Sequence, residues 1–396
     1  MKFTEEMFAE HMRPITGSAI REIFKLLARP GMISFAGGNP SNSALEPEVI
    51  SALSAEVLEK YGTTLLQYGA TDGFAPLRES AAEFLRTAQV NCTADNLLPV
   101  QGGSQAFDLL LKALINPGDV ILCESPTFLG AIQAMREYNA RLVAMPTDSE
   151  GVIVEEAERL IQKHHPKMMY VIPTFQNPTG ITLSLERRKA LAALAAKYGV
   201  VIAEDDPYRD LRYSGTPLPS IQSFDEEGWV VYMSSFSKYV APGMRLGAAV
   251  ANPTLLRKMV IGKQSADVHS PLLIQAIIDA YLRKGLMPGH LRRICGDYKR
   301  QLDAMLDGFK YFPEGTKHTV PEGGLFVWAE LPEGVDGLKV FNAAVEAGVA
   351  FVPGTYFYPD GGHENTMRLN FSMCEIPAIQ AGMERLGVVI AKEMGK

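Results

Sequence analysis

Between residues 105 and 251, short apolar runs rich in Val and Ile alternate with longer stretches whose apolar residues recur at helical spacing. The runs predict strands at Val120–Glu124, Arg141–Met145, Met168–Pro173, Val200–Asp205, Trp229–Ser234 and Leu246–Ala251. The stretches between them predict helices at Gln105–Ile115, Thr127–Tyr138, Ile153–Lys163 and Leu185–Tyr198. Near-continuous apolar strands separated by helices imply a mostly parallel sheet covered on both faces. Ligands bind such sheets beyond the carboxyl ends of the strands.

The pattern changes from about Pro271. A long helical region, interrupted by Gly285 and Pro288, runs to about Phe309. A strand pair follows around His318–Leu331, then a helix around Leu338–Ala347, a strand at Met367–Phe371 and a final helix from Ile376. This predicts an α/β chain in three parts: an irregular arm over 1–45, a large domain over 46–285 and a smaller α+β domain over 286–396.

The strands end in polar residues. Met168–Pro173 leads into Thr174-Phe175-Gln176-Asn177-Pro178-Thr179-Gly180, and Val200–Asp205 into Asp206-Pro207-Tyr208. Trp229–Ser234 ends in Ser235-Phe236-Ser237-Lys238, with Pro242-Gly243-Met244-Arg245 just beyond. Upstream, Gly102-Gly103-Ser104-Gln105 opens a helix. Singly these are a turn, an N-cap and a surface charge. Together they gather an amine, a carboxylate, an amide, a phenol and an anion cradle on one rim.

Pyridoxal phosphate needs such an inventory. Lys238 supplies the amine that condenses with the aldehyde. Asp205 keeps the pyridine nitrogen protonated, so the ring draws electrons. Asn177 and Tyr208 hydrogen-bond the ring's phenolic oxygen. The helix start at Gly103, Ser104 and Gln105 suits the phosphate, because free N–H groups and the helix dipole both point there. Ser235, Ser237 and Arg245 complete the cup, with Arg245 as a fixed cation.

Composition narrows the field. The 396 residues are 47% hydrophobic and 21% charged, which are globular values. Lys plus Arg number 38 against 45 Asp plus Glu, a formal net charge of −7, so the chain lacks the basic face of a nucleic-acid binder. The four cysteines, Cys92, Cys123, Cys295 and Cys374, form neither a C-x-x-C pair nor a dense framework, so reduced thiols and a cytoplasmic location are expected. No secretory signal and no membrane-length apolar run is seen. There is no G-x-G-x-x-G, no P-loop and no H-x-x-x-H, and His164-His165 before Pro166 read as a solvated helix end, so no metal is expected.

The ordered motifs resemble fold-type I pyridoxal-phosphate aminotransferases of class I/II, most closely the kynurenine/2-aminoadipate aminotransferase-like branch. The resemblance runs from about Ser18 to the C-terminus and rests on Phe35-Ala36-Gly37-Gly38-Asn39-Pro40, Leu66-Gln67-Tyr68, Gly102-Gly103-Ser104-Gln105, Asn177-Pro178-Thr179-Gly180, Glu204-Asp205-Asp206-Pro207-Tyr208, Ser235-Phe236-Ser237-Lys238 and Arg368. It implies a sheet of the seven-stranded type and transamination between an L-amino acid and a 2-oxo acid. Lys238 would move the proton, and Arg368 would take the substrate carboxylate. Gly38 would lie over the substrate and Phe128, where many relatives have Tyr, would stack on the pyridine. Tyr68 would reach the phosphate of a neighbouring subunit, which implies a homodimer with shared sites.

Three other readings share some of these residues. β-Elimination or decarboxylation on the same scaffold remains open, because the sequence does not fix which bond stands perpendicular to the ring. A transcription regulator is disfavoured by the 34 residues before Phe35, too few for a winged helix, and by the acidic charge. Ser235-Phe236-Ser237-Lys238 matches the S-x-x-K of penicillin-binding proteins, but neither S-D-N nor K-T-G occurs.

Overall fold

The computed structural model describes residues 4–13, 15 and 31–395; much of the expected arm therefore lies outside the described residues. In chain order, β1 (Ile33–Ser34) comes first. β2 (Leu97–Val100), β3 (Val120–Ser125), β4 (Arg141–Asp148), β5 (Gly151–Val152), β6 (Met168–Val171), β7 (Val201–Asp205), β8 (Val230–Ser235) and β9 (Gly247–Val250) follow. The last eight form one sheet in the order β2-β9-β8-β7-β6-β3-β4-β5. The run from β8 to β4 is parallel throughout. β9 is antiparallel to both its neighbours, and β5 is antiparallel to β4. Eight strands rather than seven result because the two-residue β5 folds back on the end of β4.

Why these strands lack polar alternation is visible in the core. Successive residues of β3 enter different apolar clusters, Ile121 and Cys123 on one face, Val120 and Leu122 on the other. β6 divides the same way, with Met168 and Tyr170 on the first face and Met169 and Val171 on the second. Both faces are covered by helices, so both must be apolar. This alternation also aims the strand ends. Tyr170 pairs with Ala203 in the β6–β7 register, so Asp205, two residues on, shares its face, while Glu204 turns to the other.

Farther along come β10 (Lys317–His318), β11 (Phe326–Glu330), β12 (Val349–Ala350), β13 (Val352–Pro353) and β14 (Thr366–Asn370). An antiparallel sheet runs β10-β11-β14-β13, and β12 pairs in parallel with β1. Asn370 N–H donates to Phe35 O at 2.8 Å, so the chain after β1 lies along β14. The long helical region divides into Leu272–Arg283 and Met287–Gly308, because Gly285 takes φ +65° and Pro288 sits in the first turn of the second helix.

The apolar pattern assigns no element to residues 46–104. They hold helices Pro47–Tyr61 and Ala75–Thr87, and β2 begins at Leu97. β2 carries Pro99, which a sheet tolerates at its edge, where this strand lies. Helix Pro253–Ala266 was likewise unassigned. No helix among the described residues is long and apolar enough to cross a membrane.

Candidate active site

A cavity of about 600 Å³ opens beyond the C-terminal ends of β6, β7 and β8. Asp205 ends β7 at its floor. Tyr170 Oη, on the shared face, donates to Asp205 Oδ2 at 2.6 Å. Desolvation pushes the Asp205 carboxyl up to about 6, with Asp206 adding to the rise and Tyr170 and Lys238 opposing it. A carboxylate so placed gains most from a cationic N–H brought against it.

β8 ends at Ser235, whose Oγ accepts from Ser237 N at 3.2 Å and so starts the short turn Phe236–Lys238. That turn presents Lys238 to the cavity, where Nζ donates to Gly38 O at 3.0 Å. Burial, then the cations Arg368 and Arg245, bring the Lys238 ammonium down to about 8, against the pull of Asp205. The amine can thus be neutral, and nucleophilic, near neutral pH.

Gly103 and Ser104 begin helix Gly103–Leu114 at the cavity wall. Arg245 Nη1 donates to Ser237 Oγ at 3.3 Å and Nη2 to Gln101 O at 3.1 Å. A Cβ on Gly102, at φ +82°, would lie 2.7 Å from Arg245 Nη2, so glycine is what lets the guanidinium lie over this turn. Ser235, Ser237, Arg245 and the helix start together form a cradle for a dianion.

Arg368, in the middle of β14, is buried. Nη1 donates to Asn177 Oδ1 at 2.9 Å and Nη2 to Ala36 O at 2.6 Å. Its plane lies over the Phe326 ring at 4.3 Å and the Phe357 ring at 5.0 Å. Burial lowers its proton affinity to about 10, and Nε has no partner among the described residues. A buried cation with an open donor is a receptor for a carboxylate.

Of the residues singled out by sequence, Gly38, Gly103, Ser104, Phe128, Asn177, Asp205, Tyr208, Ser235, Ser237, Lys238, Arg245 and Arg368 all line this cavity. Two do not. The Gln105 side chain, expected at the phosphate, turns away to Gln101 N, Lys263 and Asp267, and its N–H is taken by Gly102 O. Of the helix start, Gly103 and Ser104 line the cavity and the Gln105 side chain does not. Tyr68 is 80% exposed and touches His269 edge-on, outside the cavity of its own chain.

Sequence reasoning missed Tyr170, which only the β6–β7 register connects to Asp205. It also missed Gly130, whose added Cβ would strike the Phe128 ring at 2.5 Å, and Phe326, which stands edge-on to Tyr208. Gln176 is a further omission. Its Nε2 donates to Pro126 O at 2.7 Å, and its Oε1 accepts from Thr179 N and Oγ1. One buried amide thereby ties the segment before Phe128 to the turn that carries Asn177. His164 ends helix Val154–His164, with His165 left-handed after it.

The family pattern for aminotransferases of class I and II matches residues 30–386. The chain is 42% identical to the aromatic-amino-acid aminotransferase 1 of Thermococcus litoralis, over 99% of this chain and 96% of that one. The kynurenine aminotransferase of Pyrococcus horikoshii, solved in complex with PMP, superposes with a TM-score of 0.95 at 40% identity over 98% of each chain. The α-aminoadipate aminotransferase of Thermus thermophilus, complexed with N-(5'-phosphopyridoxyl)-L-leucine, reaches 0.92 at 36% identity, again over 98% of each.

Proposed function

The chain belongs to the class I and II aminotransferases and uses pyridoxal phosphate, and from that starting point we propose what its own residues do. The substrate is an L-amino acid with an aromatic, branched aliphatic or 2-aminoadipate-like side chain, with 2-oxoglutarate as acceptor and the two bound in turn. Similarity to relatives named for aromatic amino acids, kynurenine and α-aminoadipate supports that range. Phe128, Leu129 and Phe326 offer apolar wall to such side chains.

The residues present fit the cofactor: an amine, a carboxylate and an anion cradle line one cavity, beside a buried guanidinium whose Nε is open. When bound, pyridoxal phosphate supplies an aldehyde carbon that takes the amino group and a cationic ring that draws electrons from Cα. Asp205, oriented by Tyr170, holds the ring nitrogen in its protonated form. Gly103, Ser104, Ser235, Ser237 and Arg245 hold the phosphate, Phe128 covers a ring face, and Asn177 and Tyr208 bond the ring oxygen. Arg368 fixes the substrate carboxylate, with Gly38 closing over it. Lys238 Nζ would take the proton from the substrate Cα and deliver it to the cofactor's former aldehyde carbon, so that the amino nitrogen stays with the cofactor and Cα leaves as a 2-oxo acid. The single observation behind this reading is the placement of Lys238, its ammonium brought down to about 8, in one cavity with Asp205 and Arg368.

A single-turnover experiment tests it. With one amino acid and no acceptor, the loaded enzyme should release one equivalent of 2-oxo acid per site and stop. Continuing release of ammonia or carbon dioxide would mean a lyase or a decarboxylase instead.

We also propose a homodimer in which Tyr68 bonds the partner's phosphate. Its exposure beside Leu66, 73% exposed, supports this. Refolding Lys238→Ala with Tyr68→Ala should then restore activity above the sum of the parents. The division into 1–45, 46–285 and 286–396 is proposed on the pairing of β1 with β12 and the break at Gly285. Four free cysteines support a cytoplasmic location.

A further inference from the structure

The side chain that leaves the expected phosphate cup leads to a second polar cluster. Lys263 is fully buried on helix Pro253–Ala266, and Asp267 caps that helix. Lys263 Nζ donates to Gln105 Oε1 at 2.8 Å and to both Asp267 oxygens, at 2.9 and 2.8 Å. Asp267 Oδ2 also accepts from Gln101 Nε2 at 2.6 Å and Gln105 Nε2 at 2.7 Å. Gln101 N donates to Gln105 Oε1 at 2.8 Å, which closes the network.

None of these four residues is among those lining the cavity. They reach it through the Gln101 backbone, and through the Gln105 N–H, which donates to Gly102 O at 3.1 Å. Gln101 O accepts from Arg245 Nη2, and Gly102, Gly103 and Ser104 follow immediately. A buried ion pair adds little net stability, because desolvation offsets its attraction. This pair does something an apolar pair could not. It fixes both glutamine amides in one orientation each, and those amides fix the Gln101 peptide.

We infer that Lys263 and Asp267 are positioning residues for the phosphate end of the cofactor site, acting through Gln101 and Gln105 on the Gly102–Ser104 turn and on the carbonyl that orients Arg245. The inference rests on the cofactor reading above. Burial lowers the proton affinity of Lys263, yet the two aligned oxygens of Asp267 oppose that shift, which keeps the bonds charge-assisted.

The test uses cofactor-free protein titrated with pyridoxal phosphate, pyridoxal and inorganic phosphate. The variant is Lys263→Met with Asp267→Leu, which removes both charges together and so strands neither. Affinity for pyridoxal phosphate and for inorganic phosphate should fall about tenfold or more, while affinity for pyridoxal stays within about twofold. Gln105→Met breaks the same relay with the ion pair intact, and should show the same phosphate-selective loss even if the double variant does not fold. Equal losses for pyridoxal and pyridoxal phosphate, or no loss for either, would overturn the inference. Wild-type protein that binds no pyridoxal phosphate would overturn the cofactor reading and this inference with it.

Discussion

Arg245 and Arg368 line the same cavity, and neither forms an ion pair with a carboxylate among the described residues, yet they are built in opposite ways. Arg245 is exposed, sits in a loop before β9 at φ +50°, and rests on a serine hydroxyl and two backbone carbonyls. Arg368 is buried in the four-stranded sheet between two aromatic rings, with one N–H open. Charge in water is screened, whereas charge in a buried wall acts several times more strongly. On this account, phosphate binding is spread over many modest contacts around Arg245, and carboxylate binding is concentrated on Arg368. On the proposed reading, the eight-stranded sheet serves the cofactor and the four-stranded sheet serves the substrate.

The largest expected effect falls on neither arginine. Lys238→Ala should lower turnover about 10⁴-fold, the upper range for a proton-transferring group, while leaving phosphate affinity intact. Turnover within about tenfold of wild type would place the proton transfer elsewhere. Asp205→Asn should still bind cofactor but lose about 3–5 kcal/mol of transition-state stabilisation, since an amide cannot hold the ring nitrogen protonated by charge. Near-normal kcat would mean that another group protonates the ring.

The arginines themselves come next. Arg368→Leu should raise KM for the amino acid about 100-fold with cofactor affinity within about threefold. Arg245→Leu should do the reverse, weakening cofactor about tenfold with little change in KM. If both variants lose cofactor and substrate alike, the division of labour is wrong.

The smallest effect is in pH dependence. With Lys238 at about 8, the neutral amine fraction of cofactor-free protein grows as pH rises through 8. Its rate of condensation with pyridoxal phosphate should climb from pH 7 to 9 and then level, read by absorbance. Because the folded value lies below the ordinary 10.5, the unfolded chain binds more protons between about 8 and 10.5, so stability should rise with pH across that window. In Arg368→Leu the inflection should move upward, because a neighbouring cation is gone.

The two sheets also differ in how far the sequence reveals them. β3, β6, β7 and β8 are buried on both faces, so each reads as an apolar run, and their polar ends announced Asn177, Asp205, Ser235 and Lys238. Arg368 has no such run to mark it; it entered through family likeness, and its burial is set by Phe326, Phe357 and the Ala36 carbonyl from distant parts of the chain. Tyr170 stayed hidden because strand register is not written in either strand alone. The Gln105 side chain lies away from the cavity for a local reason. A helix start shows where N–H groups point, but the long side chain there was free to join Lys263 and Asp267 instead. Helices Pro47–Tyr61 and Ala75–Thr87 were passed over because no apolar strand brackets them.

Among the described residues, two buried lysines have lowered proton affinity, Lys238 in the cavity and Lys263 behind it, and the proposed covalent chemistry falls on the first alone. Borohydride reduction of the loaded enzyme, followed by peptide mapping, separates them. The result expected is one modified peptide, carrying the pyridoxyl group on Lys238. A pyridoxyl group on Lys263, or on any other lysine in place of Lys238, would contradict the account.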